Sequence, residues 1–137
     1  MTRLVRSVYF ECLHRYENPK WSAEENQKVF GACYTPHGHG HTYKMEVCVS
    51  GPIDPVTGMV INLKELDEEI NKVIAGVAGK HLNFEVAEFR DSVPTTENLL
   101  NYLYERLKLQ FKDKVYLEKV RLYENTDLWV DQFEAAT

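Results

Sequence analysis

The chain has no run of apolar residues approaching the ~20 that cross a bilayer as a helix. Its first residues alternate charge and apolarity (Arg3, Arg6, Glu11), so no signal peptide is expected. It also lacks a Lys/Arg run, and its net charge of −5 argues against nucleic acid or an acidic membrane as the main partner. Local pockets for phosphorylated molecules stay open. Cysteine is scarce: Cys12, Cys33 and Cys48 are widely spaced and odd in number, which excludes a disulfide framework and fits a reducing cytoplasm. Strong repeats and low-complexity segments are missing. What is present, 137 residues with 44% hydrophobic and 27% charged, suits one domain over residues 1–137 with its own core.

The densest chemistry lies in Phe30–Tyr43, where His37, His39 and His41 alternate with Gly38 and Gly40 and an isolated Cys33 stands upstream. On a strand, the period of two aims His39 and His41 at one face. A first strand, Leu4–His14, carries Val8, Phe10, Cys12 and His14 on one side, so a third imidazole emerges at its end. Alone, His14 is equally well a hydrogen-bonded structural residue. Together the three offer neutral nitrogen donors that suit zinc and leave a fourth position open, as catalytic zinc requires. Cys33 is then either a thiol near the metal or a fourth ligand folded back over His39.

Around this stretch the chain reads as two strands, two helices and two strands. Residues 15–29 form a long polar loop, with a short helix near Ser22, where Ser22-x-x-Glu25 has capping-box form. The second strand runs to Ser50, with Tyr43, Met45, Val47 and Val49 on one face, and Met59–Leu63 is expected to pair briefly. A helix opens at Asn62 with the stripe Leu63, Leu66, Ile70, Val73, Ile74 and Val77, closing near Gly76 and Gly79. Residues 80–93 read as irregular. Pro94-Thr95-Thr96 introduces a second helix with Leu99, Leu100, Leu103, Leu107 and Phe111 on one face. A hairpin ends the chain, with Glu124 beside its turn. This order predicts an α+β fold: a four-stranded antiparallel sheet with two helices on one face. Edge strands without blocking residues predict a homo-oligomer.

In combination, Phe30-Gly31-Ala32-Cys33, His39-Gly40-His41-Thr42-Tyr43, His14-Arg15, Asp54-Pro55-x-Thr57-Gly58, Thr95-Thr96-Glu97-Asn98 and Tyr123-Glu124 resemble the 6-pyruvoyl-tetrahydropterin synthase family. That family's bacterial relatives make 6-carboxy-tetrahydropterin for deazapurine (queuosine-type) biosynthesis; the Cys33-to-His39 spacing is closer to the pyruvoyl branch. The resemblance implies the tunnelling fold, in which a trimer closes a β-barrel and two trimers stack, with active sites between subunits. It implies Zn2+ on His14, His39 and His41, Cys33 as base, and a pterin ring held by Glu124 and Thr95, Thr96 and Glu97. The implied reaction converts 7,8-dihydroneopterin triphosphate to 6-pyruvoyl-tetrahydropterin with loss of triphosphate, in the cytoplasm and on the way to tetrahydrobiopterin.

One family feature is missing. The Asp-His pair that activates the cysteine falls, aligned back from Thr95, on Ala78 and Gly79. An unassisted thiol is only about a few per cent thiolate near neutrality, and loss of an acid/base partner costs ~10²–10⁴ in rate. His81 and His37 are candidates to stand in, His81 being equally an ordinary residue of that segment. A changed outcome (carboxy-pterin formation or side-chain cleavage) and zinc and pterin binding without turnover are the alternatives.

Overall fold

The computed structural model describes residues 1–136. The elements are β1 (Thr2–His14), α1 (Ala23–Phe30), β2 (His39–Gly51), α2 (Leu63–Ile74), α3 (Leu82–Glu85), α4 (Thr96–Phe111), β3 (Tyr116–Asn125) and β4 (Leu128–Phe133), with 3₁₀ turns at Gly31–Cys33 and Ala87–Phe89. The strands make one antiparallel sheet in the order β1-β2-β3-β4. Among the described residues, no helix is long and apolar enough to cross a membrane.

Alternation decides which face is covered. Phe10 and Cys12 of β1, Tyr43, Met45, Val47 and Val49 of β2, and Leu117, Val120 and Leu122 of β3 are buried under α2 and α4. A bulge at Cys48/Val49 lets β3 pass from Leu117 to Val120 with both side chains inward. The α4 stripe Leu99, Leu100, Leu103, Leu107 and Phe111 is buried throughout. Each such side chain contributes about 1.5–3 kcal/mol by leaving water. The opposite face leaves Val5, Tyr9, Leu13 and Trp129 exposed.

Caps place the helices where the sequence puts them. Ser22 accepts from the Glu25 N–H at 3.1 Å, Asn62 from the Lys64 N–H at 2.9 Å, and Thr95 from the Asn98 N–H at 3.1 Å. Asn26, on α1, is buried and ties the long loop together: its Oδ1 accepts from the Asn18 N–H at 2.7 Å, and its Nδ2 donates to the Asn18 and Ser22 carbonyls. That loop therefore delivers Cys33 in an ordered turn.

Several boundaries differ from the expectation. Met59–Leu63 forms no strand, because the Met59 carbonyl is taken by the Asp54 N–H at 2.9 Å, closing the turn that contains Gly58. Leu63 is 45% exposed, since at the first position of α2 it lies beyond the sheet-facing stripe. The 80–93 segment is not irregular throughout: α3 and the second 3₁₀ turn bury Leu82, Val86 and Phe89. Just before α3, Gly79 donates to the Glu11 carbonyl at 2.7 Å, and Leu13 donates to the Lys80 carbonyl at 2.9 Å. This turn and the Leu13–His81 bridge that follows it cover the C-terminal end of β1's outer edge.

Candidate metal centre

The β1–β2 register builds the centre. His14 pairs with His39 and Cys12 with His41, so three inward-facing imidazoles meet at the end of the hairpin. Their rings lie 4.6–4.9 Å apart, centroid to centroid, and nearly perpendicular, at 78–87°. Among the described residues, the metal-capable group with ligand atoms within 4.8 Å of one another comprises these three histidines, with the Glu124 carboxylate against two of them. Cys33 is therefore not a fourth member of the set.

Proton bookkeeping shows what this arrangement can take. His14 is fully buried, and its Nδ1 lies 2.9 Å from the Pro94 carbonyl, which can only accept. Nδ1 therefore carries the proton and Nε2 a lone pair. That Nε2 lies 3.0 Å from His39 Nε2, and His41 Nε2 is buried without a hydrogen bond. Nitrogens tetrahedrally bound at ~2.0–2.1 Å would stand roughly 3.3–3.4 Å apart; the His14–His39 pair is at 3.0 Å and all three lie within 4.8 Å of one another. The donor set fits zinc, with the Pro94 carbonyl orienting its buried ligand from behind.

Burial, followed by the neighbouring His39, pushes His14 down to about 4, against a smaller opposing pull from the Pro94 carbonyl. His39 is lowered too, by burial and His41, with Glu124 opposing. In the unfolded chain a histidine titrates near ~6.5. Between there and about 4 the unfolded state binds the extra proton, so folding stability falls as pH falls. Chelator-treated protein should therefore show a urea midpoint that is flat above pH 7 and drops between pH 6.5 and 4; His14→Gln should flatten that drop.

Gly38 lets the loop pass under β1. It holds φ +79°, and a Cβ there would stand 2.4 Å from the His14 carbonyl oxygen and 3.1 Å from His81 Nε2. Left-handed backbone alone costs a non-glycine residue about 1–2 kcal/mol. Gly38→Ala should lose at least about 2 kcal/mol of stability and much of the metal affinity, checked by denaturation and metal titration.

Around the imidazoles, the Glu124 carboxylate, 12% exposed, has Oε1 3.3 Å from His41 Nε2 and 3.9 Å from His14 Nε2. Thr95 caps α4 through the Asn98 N–H, which leaves the Thr96 and Glu97 N–H groups of the first turn free of intrahelical partners. Thr96 is itself 1% exposed, and its Oγ1 has no hydrogen-bond partner among the described residues. Cys33 is a free, part-buried thiol whose carbonyl accepts from the Tyr16 N–H at 3.2 Å. The structure thus brings His14, His39, His41 and Glu124 together, ties the Thr95–Glu97 turn to them through Pro94, and holds Cys33 two residues from His14 through Tyr16.

His81 stands elsewhere. Its Nε2 donates to the His37 carbonyl at 3.1 Å, and its Nδ1 is buried and unpartnered. It braces the His37–Gly38 turn from outside. His37 is exposed, as are Ala78 and Gly79, the latter at φ +72°. Tyr16, Pro94 and Tyr43, whose hydroxyl lies 3.2 Å from His14 Nδ1, are site residues that sequence reasoning missed. Tyr16, two after His14, keeps the strand's period of two, and that was the signal for it.

A helix-backed antiparallel sheet with three imidazoles at one end that could hold a metal, beside a carboxylate and a helix N-terminus, defines a class of α+β architectures with a candidate metal centre. Within that class, residues 3–135 match the family model described as 6-pyruvoyl tetrahydropterin synthase, and the chain belongs to that family. The chain is 43% identical over 122 residues to 6-pyruvoyl tetrahydrobiopterin synthase of Drosophila melanogaster, covering 88% of this chain and 73% of that protein. To the Homo sapiens protein of that name it is 42% identical over 123 residues, covering 89% and 84%. The solved structure of Caenorhabditis elegans 6-pyruvoyl tetrahydropterin synthase superposes with a TM-score of 0.92 at 32% identity, covering 98% of this chain and 96% of that one.

Proposed function

We propose that the protein is a zinc-dependent carbon–oxygen lyase that converts 7,8-dihydroneopterin triphosphate to 6-pyruvoyl-tetrahydropterin and triphosphate. The observation that carries the reading is the convergence of three imidazoles, their ligand-capable nitrogens within 4.8 Å of one another, beside a nearly buried carboxylate. His14, His39 and His41 would hold Zn2+. Bound there, zinc supplies a Lewis acid for the side-chain hydroxyls of the substrate.

The remaining work falls to the chain's own groups. Glu124 accepts from the adjacent ring N–H groups of a pterin, a pairing suited to a carboxylate. The Thr96 and Glu97 N–H groups, without intrahelical partners, face the ring from the first turn of α4, with Thr95 setting that turn. Cys33 Sγ moves protons between side chain and ring. The ring is reduced as the side chain is oxidised, so no redox cofactor enters, and triphosphate leaves. We further propose a single-domain cytoplasmic protein acting as a trimer or dimer of trimers, closed into a barrel through β1 and β4, with no nucleic-acid or membrane partner. The apolar residues Val5, Tyr9 and Trp129 on the uncovered sheet face suit that arrangement.

A second reading is favoured by one specific observation. At the positions where the family resemblance expects an Asp-His pair, the chain has the exposed Ala78 and Gly79, neither of which can move a proton. A single base at Cys33, with His81 committed to the His37 carbonyl, suits a changed outcome: carboxy-pterin formation or side-chain cleavage. Zinc-loaded protein incubated with 7,8-dihydroneopterin triphosphate and analysed by chromatography separates the readings. We expect 6-pyruvoyl-tetrahydropterin with one triphosphate per turnover. A carboxy- or truncated pterin instead would establish the second reading, and bound but unchanged substrate would reduce the protein to a binder.

A further inference from the structure

Asn83 does for the end of β1 what a further strand would do. Its Oδ1 accepts from the Arg15 N–H at 2.7 Å, and its Nδ2 donates to the Arg15 carbonyl at 2.8 Å. A carboxamide suits this place, because it offers an acceptor and a donor side by side, as a peptide group does. Asn83 is itself held, since the preceding Leu82 is fully buried and His81 bridges to Leu13. One side chain therefore grips both backbone polar groups of the residue that follows His14.

Arg15 in turn carries the loop between Cys33 and His39. Its guanidinium lies 4.5 Å over the Tyr34 ring, and its Nη1 donates to the Pro36 carbonyl at 3.3 Å. An ion pair to Glu17 at 3.6 Å adds to its hold. Tyr16, next along, donates its N–H to the Cys33 carbonyl at 3.2 Å. The Cys33 turn thus hangs from residues 15 and 16, directly after the buried imidazole of His14.

We propose that Asn83 is a positioning residue: by fixing the backbone of Arg15, it sets where the Cys33 turn stands relative to the imidazole centre. This role rests on the pterin reading above for the work of Cys33, and deepens it. It also gives a part to the segment that follows Ala78 and Gly79. Those two positions move no proton, yet the segment still aims the loop, through His81 on the His37 carbonyl and through Asn83 on Arg15. A misplacement of about 1 Å by a residue away from the chemistry costs up to ~10² in rate.

Asn83→Ala removes both hydrogen bonds, and Arg15→Lys keeps the charge but gives up the planar stack on Tyr34. Zinc-loaded wild type and variants are assayed with 7,8-dihydroneopterin triphosphate. Separately, cobalt-loaded proteins carry a trifluoromethyl tag on Cys33, whose fluorine resonance the paramagnetic ion shifts according to its distance. Cys12 and Cys48 are buried, which directs the tag to Cys33. Both variants should lose about 10- to 100-fold in kcat, with KM and metal stoichiometry within about twofold of wild type. Both should also replace the single cobalt-shifted fluorine line of wild type by a broad or displaced one. Asn83→Asp, which keeps only the acceptor for the Arg15 N–H, should fall between. Unchanged kcat, or an unchanged fluorine line, in both Asn83→Ala and Arg15→Lys would overturn the proposal and leave the pterin reading standing. Absence of turnover in wild type would overturn the lyase reading; the fluorine line then decides alone, a displaced line upholding the role of Asn83 and an unchanged one refuting it.

Discussion

Cys33→Ala should lower turnover of dihydroneopterin triphosphate by ~10²–10⁴ while leaving zinc content and ring binding as they are in wild type. The separation follows from position. Cys33 sits in the Gly31–Cys33 turn, outside the imidazole cluster, so its removal withdraws no ligand. The turn itself is held by backbone: the Tyr16 N–H to the Cys33 carbonyl, and the Tyr34 N–H to the Gly31 carbonyl at 3.0 Å. Neither contact needs the thiol, so the loop should keep its path. The loss should therefore appear in kcat with KM within about threefold of wild type, and Cys33→Ser should not recover it, a hydroxyl being a far weaker base. Turnover of Cys33→Ala within about threefold of wild type would remove the thiol from the chemistry and leave His37 and His81 to be tested as the proton carrier.

His39→Ala should lose the metal and, with it, turnover. Of the three imidazoles, His14 is fully buried and hydrogen-bonded to Pro94, so its removal would also damage the fold. His39 is only partly buried and touches its neighbours mainly through the nitrogens that would meet a metal. Its alanine variant should stay folded, with a melting temperature close to that of chelated wild-type protein. Bound zinc should fall below about one tenth of stoichiometric. Lewis-acid assistance worth several kcal/mol corresponds to about 10²–10⁴ in rate, and added zinc should restore little of it. Retained stoichiometric zinc in this variant would refute the ligand assignment.

Much of this site is legible in the sequence because it depends on local periodicity. His39 and His41 share a face for the same reason that Tyr43 and Met45 do, and Thr95 caps α4 with no help from the rest of the chain. What is not legible depends on partners far away in sequence. β2 begins at His39 rather than fading in near His41 because Leu13 and His14 are there to pair with Gly40 and His39. Glycine is a poor strand former, so no window of sequence places Gly40 inside a strand. α3 and the turn Ala87–Phe89 are too short to show a period, yet Leu82, Val86 and Phe89 are buried, so tertiary packing makes them. Met59 reads as a strand residue by composition, and the Asp54 turn claims its carbonyl first.

The candidate stand-in bases show the same limit. His81 is extended beside β1, with Gly79 turning the chain into that segment at φ +72°, but the side chain of His81 is aimed by the His37 carbonyl, a contact across 44 residues. Tyr16 has a local signal in its place two residues after His14, but its packing between His14 and Phe30 needs the loop that returns Phe30 to it. The metal-binding pattern is therefore mostly local, and the ligand-reading pattern mostly not.

The central claim is that His14, His39 and His41 form an open metal centre. Anomalous diffraction at the zinc edge, from crystals grown with zinc and soaked with a dihydropterin, addresses it most directly. We expect a single strong peak about 2.0–2.1 Å from the Nε2 atoms of His14, His39 and His41, with at least one remaining position facing the ligand and Glu124 turned to the ring. A peak elsewhere, or a zinc closed on all sides by protein groups, would contradict it.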